Sequence, residues 1–228
     1  MAKNLFEEFD GVSSKQWKQQ IQFELKGADY NDTLIWNSPE NIKVKPFYHN
    51  DEFQESYASK KENTYFRICQ NIFIHDLDKS ISRAIKSINR GAESIRFTIP
   101  DDKIDVRKLL ESLPLEKITV YFNLAFLSID FVKKIEITAT EKKASVFCNL
   151  DPIGQLAREG NWFTTTEKDN FDTLNLLSNQ INNSSLLSVD GSLYQNAGAN
   201  MVQQIAYSLS HANEYFNRIT TINKPIVF

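Results

Sequence analysis

Few side chains in this sequence are equipped for chemistry. Three histidines, His49, His75 and His211, and two cysteines, Cys69 and Cys148, are scattered without HExxH, HxxxH or CxxC spacing. A metal centre is therefore not expected, and both thiols, set in apolar strand-like runs, are expected to be buried and free. His75 is the best placed histidine, ending a strand-like run beside Asp76, because strand C-termini face the active site in parallel barrels. GxSxG, GxGxxG and GxxxxGK[ST] are absent, so neither a nucleophile elbow nor a phosphate-cradling loop is expected. Asp151-Pro152 and Asp190-Gly191 each follow a strand-like run. A carboxylate there could do acid-base work or cap the next turn; capping is the expectation.

The elements that must position these groups fall into two regions. Ser13-Ser14-Lys15-Gln16 has the form of a capping box, and Trp17, Ile21 and Leu25 form one stripe, predicting a helix over 14–26 ended by Gly27. Asp32 to Tyr48 reads as extended, and 49–63 is polar. Residues 1–62 are thus an arm with too few apolar anchors for its own core. From 63 to 228 strand and helix alternate. Strands are predicted at 65–74, 94–99, 118–126, 144–150 and 186–190, with the start of a sixth at 225–228. Helices are predicted between them, near 81–88, 104–110, 129–137, 153–158 and 171–181. The longest covers 199–220, where Val202, Ile205, Ala206, Leu209, Ala212, Phe216 and Ile219 recur at three- and four-residue steps. Alternation of this kind requires a parallel sheet covered by helices. Periodicity leaves a doubly wound sheet and an eight-stranded barrel both open.

With 26 Lys+Arg against 29 Asp+Glu, a net charge of −3 and no basic run, nothing in the sequence favours nucleic acid. No run approaches the roughly 18 apolar residues of a membrane span, and the first residues lack a secretory h-region, so a cytoplasmic address is expected. The sixteen phenylalanines, spread through strands and helices, read as core.

Two segments carry a resemblance. Leu25-Lys26-Gly27-Ala28-Asp29-Tyr30, continuing through Leu34-Ile35-Trp36 to Ile42-Lys43-Val44-Lys45-Pro46-Phe47-Tyr48, resembles the N-terminal region of methylmalonyl-CoA mutase subunits. Asp151-Pro152-Ile153-Gly154 with Trp162, and Val189-Asp190-Gly191-Ser192-Leu193-Tyr194-Gln195-Asn196-Ala197-Gly198-Ala199, resemble that family's barrel. The resemblance covers nearly the whole chain from Phe6. It implies an α/β fold of (β/α)8 TIM-barrel type, incomplete here with about five to six βα units, behind a helical and extended arm that embraces a partner subunit. It also implies an adenosylcobalamin-dependent isomerase that interconverts methylmalonyl-CoA and succinyl-CoA.

Catalytic subunits of the family carry a Tyr-His pair where this chain has Ser192 and Leu193, and leucine cannot donate to a thioester carbonyl. The Arg-, Thr- and Tyr-rich segment that meets substrate in catalytic chains is also missing; the Asp-x-His-x-x-Gly motif that meets cobalt does not occur in these residues, and the resemblance assigns it to a C-terminal domain beyond them. These departures match the small, non-catalytic subunit. The resemblance then implies no catalytic residue and no cofactor on these residues, adenosylcobalamin on the partner, and a heterodimer with the mutase large subunit. Homodimerisation through the open barrel edge is a further expectation. Arg96-Phe97, Tyr121-Phe122 and Val146-Phe147 put bulk on both strand faces, so a plugged bore is expected. Trp17, Leu25, Trp36 and Phe47 are the expected partner-facing anchors. Two alternatives stay open: a competent acyl-CoA mutase chain with a divergent site at the barrel mouth around Asp151, Asp190, Ser192 and Tyr194, and a stand-alone interaction module built on the arm.

Overall fold

A computed structural model describes residues 9–53, 65–181 and 186–219. The chain divides into two units, Met1–Thr64 and Tyr65–Phe228, each described by itself.

In the first unit, α1 (Ser14–Glu24) starts as the capping box predicts. The Ser13 side chain accepts from the Gln16 amide, and the Gln16 side chain accepts from the Ser13 amide at 2.9 Å. The helix stops two residues before the expected end, and Lys26 and Gly27 both take positive φ. Residues 30–34, within the stretch read partly as extended, form the short helix α2 (Tyr30–Leu34). Asp29 accepts from the Asn31 and Asp32 amides and so nucleates a turn where the Leu-Ile-Trp run alone suggests a strand. β1 (Trp36–Asn37) and β2 (Lys43–Val44) then pair antiparallel, and His49 caps a 3-10 turn at Asn50–Glu52.

The second unit is a parallel sheet of β3 (Cys69–Phe73), β4 (Ser94–Ile99), β5 (Thr119–Leu124) and β6 (Ser145–Cys148), in that spatial order. α3 (Leu77–Asn89), α4 (Val106–Glu111) and α5 (Ile129–Lys142) connect successive strands, as parallel pairing demands. Beyond β6 come α6 (Pro152–Glu159), α7 (Glu167–Gln180), α8 (Ser192–Asn196) and α9 (Met201–Arg218). The fifth strand expected at 186–190 is reduced to one parallel bridge, Leu150 with Leu187. The polar Ser188 and Asp190 follow that bridge and line a cavity instead of extending a ladder. The sixth strand, expected at 225–228, lies outside the described residues. Among those residues the fold is an α/β parallel sheet with the layout of part of a TIM-type barrel.

The two faces of the sheet differ because side chains alternate along each strand. One face carries Ile95, Phe97 and Ile99 of β4, Val120, Phe122 and Leu124 of β5, and Val146 and Cys148 of β6, all buried in one cluster with α3, α4, α5 and α7. Phe97 and Phe122 stack there, centroids 6.1 Å apart. The other face carries three rows fixed by the strand register. Cys69, Ser94, Thr119 and Ser145 form the first, and Arg67 covers it by donating to Thr119 Oγ1 at 3.0 Å. Asn71, Arg96, Tyr121 and Phe147 form the second. Phe73, Thr98 and Asn123 form the third, at the C-terminal ends.

This arrangement corrects the cysteine expectation. Cys148 is buried, and burial pushes its thiol up to about 12, but Cys69 is exposed because β3 is an edge strand. No helix among the described residues is long and apolar enough to cross a membrane.

Candidate functional site

The C-terminal ends of the strands open onto a cavity of about 300 Å³ lined by Thr98, Asn123, Asn149, Asp151, Gln155, Arg158, Ser188 and Asp190. Parallel sheets place ligands and catalytic groups at this end, because the strand-to-helix turns converge there. Asn149 donates to Asn123 Oδ1 at 2.9 Å, joining the third row of the sheet to the β6–α6 turn.

Asp151 is the centre of the arrangement. Its Oδ1 accepts from the Gly154 amide at 2.8 Å, capping α6, with Pro152 at the first helical position. The same oxygen accepts from the Tyr215 hydroxyl at 2.7 Å and lies 2.9 Å from His211 Nε2, an ion-pair approach whose angle falls short of a straight hydrogen bond. Oδ2 is buried without a hydrogen-bond donor, 3.9 Å from Arg158. Gly154 makes room for it, since a Cβ there would meet Oδ2 at 1.9 Å. Burial pushes the Asp151 carboxyl up, yet His211, Tyr215 and the Gly154 amide outweigh burial and hold it below the ordinary carboxylate value.

The far side of His211 is also occupied. Its Nδ1 is 3.0 Å from the Tyr194 hydroxyl, which a rotating O–H allows to donate or accept. The Tyr215 hydroxyl accepts from the Ile153 amide at 3.1 Å, and burial raises its pKa far above the ordinary phenol value. Asp151, His211, Tyr194 and Tyr215 thus form one polar cluster, drawn from the β6–α6 turn, α8 and α9.

The structure brings together part of the expected mouth site. Asp151 and Tyr194 join through His211, Asp190 shares the cavity with Asp151, and Ser192 is exposed at the start of α8, its amide bonded to Asp190 Oδ1 at 3.0 Å. Leu193 is half-buried in α8. His75 is exposed after β3, and Asp76 beside it caps α3 through the Lys79 amide. His211 and Tyr215 are the residues that sequence reasoning passed over. Their signal was a polar pair one helical turn apart, the spacing that puts two side chains on one face.

The apolar stripe of α9 is where the expectation reverses. Val202, Ile205 and Leu209 are each more than 60% exposed, while His211 and Tyr215 face inward. The cause is the buried carboxylate of Asp151, which takes its partners from the polar side of the helix.

In the arm, Trp17 packs edge-on against Phe47 with centroids 6.3 Å apart, yet Trp17 and Trp36 stay 51% and 61% exposed. Leu25 and Phe47 are half-buried.

A sequence profile of the family described as methylmalonyl-CoA mutase matches residues 101–223, more than half the chain and the whole of the cluster above. The chain belongs to the methylmalonyl-CoA mutase family. It is also 23% identical over 244 aligned residues to the methylmalonyl-CoA mutase small subunit of Porphyromonas gingivalis, covering 96% of this chain. The chain spans 39% of that relative's length.

Of the three histidines, His211 is buried between Asp151 and the Tyr194 hydroxyl, His49 Nδ1 accepts from the Asp51 amide, and His75 is exposed after β3; among the described residues no three His, Cys, Asp or Glu side chains gather as a metal centre.

Proposed function

We propose that this chain is part of the small subunit of an adenosylcobalamin-dependent methylmalonyl-CoA mutase and serves as a structural and assembly partner of the catalytic large subunit. Cobalamin and acyl-CoA then sit on the partner, and this chain makes a heterodimer with it in the cytoplasm. The observation that carries the reading is Leu193. The family-like segment 189–199 is present, but a hydrocarbon occupies the position where the resemblance calls for an imidazole, so no donor is offered to a thioester oxygen.

The second row of the open sheet face supports it. Tyr121 and Phe147 stack at 5.1 Å, and the Arg96 guanidinium lies 5.8 Å from the Tyr121 ring centre, so three bulky groups occupy adjacent strands where a bore would need room. In the arm, Trp17 and Trp36 expose area typical of interface anchors.

Mixing the purified chain with the large subunit tests the proposal. Co-elution, with turnover tracking only the large subunit, is the expected result. Turnover by this chain alone would replace the proposal with the divergent-site reading. That rival has one specific observation behind it, the Tyr194–His211–Asp151 contact, which follows the acid-base-orienter logic of nucleophilic sites. Loss of such turnover in Tyr194→Phe would then identify the acting group.

A further inference from the structure

The cavity at the C-terminal ends of the strands holds groups that the assembly role leaves unused. Asp151 is only 4% exposed, yet its Oδ2 takes no hydrogen-bond donor among the described residues. That oxygen turns toward Arg158, 3.9 Å away, and both residues line the cavity. A buried carboxylate oxygen without a donor is costly, so the place beside it suits a group that donates. The Thr98 and Ser188 hydroxyls and the Gln155 amide line the same space and make no side-chain hydrogen bond to another described residue. Each of them can both donate and accept. Phe163 adds an apolar wall, and the loop that carries it is fixed from α7. Asn170, fully buried, donates to Thr164 Oγ1 at 2.7 Å and to the Thr166 carbonyl at 2.6 Å, while Trp162 meets Phe171 edge-on with centroids 6.1 Å apart.

We propose that this cavity binds a small, uncharged, hydroxyl-rich molecule of monosaccharide size. Charge makes the choice. Asp151 and Asp190 against Arg158 leave the lining with one net negative charge, which opposes a carboxylate or a phosphate, and Arg158 already stands where a metal ion would neutralise Oδ2. A neutral hydroxyl meets neither objection. The 3.9 Å between the guanidinium and Oδ2 is spanned by an oxygen about 2.8 Å from each, which donates to the carboxylate and accepts from the arginine in one place. Further hydroxyls on the same molecule match Thr98, Gln155 and Ser188, and the C–H face of a sugar ring rests on Phe163. A volume of about 300 Å³ lies at the lower end of small-ligand sites, with room for one sugar ring and too little for a coenzyme A. The site uses neither Leu193 nor the second row of the sheet, so it stands independently of the mutase reading.

The test is saturation-transfer NMR on the full chain with D-ribose, D-glucose and myo-inositol as probes, followed by titration of each to saturation. The expected result is saturable one-to-one binding of at least one probe. Thr98→Val and Gln155→Leu each remove a polar group at nearly constant volume, and each should weaken that binding about tenfold or more with the melting temperature unchanged. Thr98→Val keeps the branched shape of its strand position, so it reads the lost hydroxyl even where Gln155→Leu disturbs α6. Malonate, run alongside as a carboxylate probe, should not bind. Absence of saturable binding by all three probes overturns the proposal. So does binding that is the same in both variants, which puts the contact elsewhere, and so does malonate that displaces the bound probe. Co-elution of both variants with the large subunit is expected to stay as in the wild type, so a failure here leaves the mutase reading in place.

Discussion

The arm and the sheet unit are held together by different physics. Among the described residues of the arm, the only buried hydrophobic side chain is Tyr30, and the helices and turns stand on local caps from Ser13, Asp29 and His49. The sheet unit has a continuous apolar cluster contributed by four strands and the helices that connect them. Local caps are worth about 1 kcal/mol each, whereas a buried side chain of phenylalanine size is worth several. The comparison teaches that the arm takes its shape from its own sequence but must draw its stability from a surface on which its aromatics rest.

Four perturbations sharpen or break this contrast. Phe122→Ala should lose about 3–5 kcal/mol in denaturant unfolding of the sheet unit, since the ring is fully buried against Phe97. A loss below about 1 kcal/mol would mean that the sheet core is not close-packed.

Asp151→Ala should cost about 2–4 kcal/mol, because the cap of α6 goes and the Tyr215 hydroxyl and His211 are left buried without their acceptor. The pH dependence follows in sign. A carboxyl held below its ordinary value in the folded state contributes stability that is present above the ordinary value of 3.8 and is lost as pH falls through the folded value. Urea midpoints taken down into this acid range should therefore fall more steeply for the wild type than for Asp151→Asn.

Trp36→Ala should reverse the emphasis, changing the unfolding free energy by under about 0.5 kcal/mol while weakening association with the large subunit by about tenfold or more. If the melting temperature falls and association does not, the tryptophan packs on its own chain. Smallest of all, Ser13→Ala should remove about 0.5–1 kcal/mol from α1 alone. Amide exchange would quicken over residues 14–24 and stay unchanged in the sheet.

What the sequence made legible followed the locality of the signal. β4 was readable at both ends because Ser94–Ile99 alternates cleanly between a core face and an open face. The α1 start was readable from one hydroxyl and one amide three residues apart. Helix α2 was not, because a single Asp29 cap overrode an apolar run that favours strand. The fate of Cys69 depended on which strand lies at the edge, a fact of spatial order and not of composition. At the site, Asp151 and Tyr194 are named from their segments, whereas His75 is the histidine that chain position favours over His211. The partner of His211 lies sixty residues away, and only the packing of α9 on the β6–α6 turn joins them.

The central claim is that this chain assembles and does not bind the thioester. Calorimetric titration of methylmalonyl-CoA into the isolated chain tests it most directly. The account predicts no saturable binding, because Leu193 offers no donor and Arg96, Tyr121 and Phe147 fill the sheet row that a pantetheine chain would cross. Saturable micromolar binding that strengthens on Tyr121→Ala would leave the row as an obstacle but overturn the non-binding claim, and binding unaffected by it would contradict both.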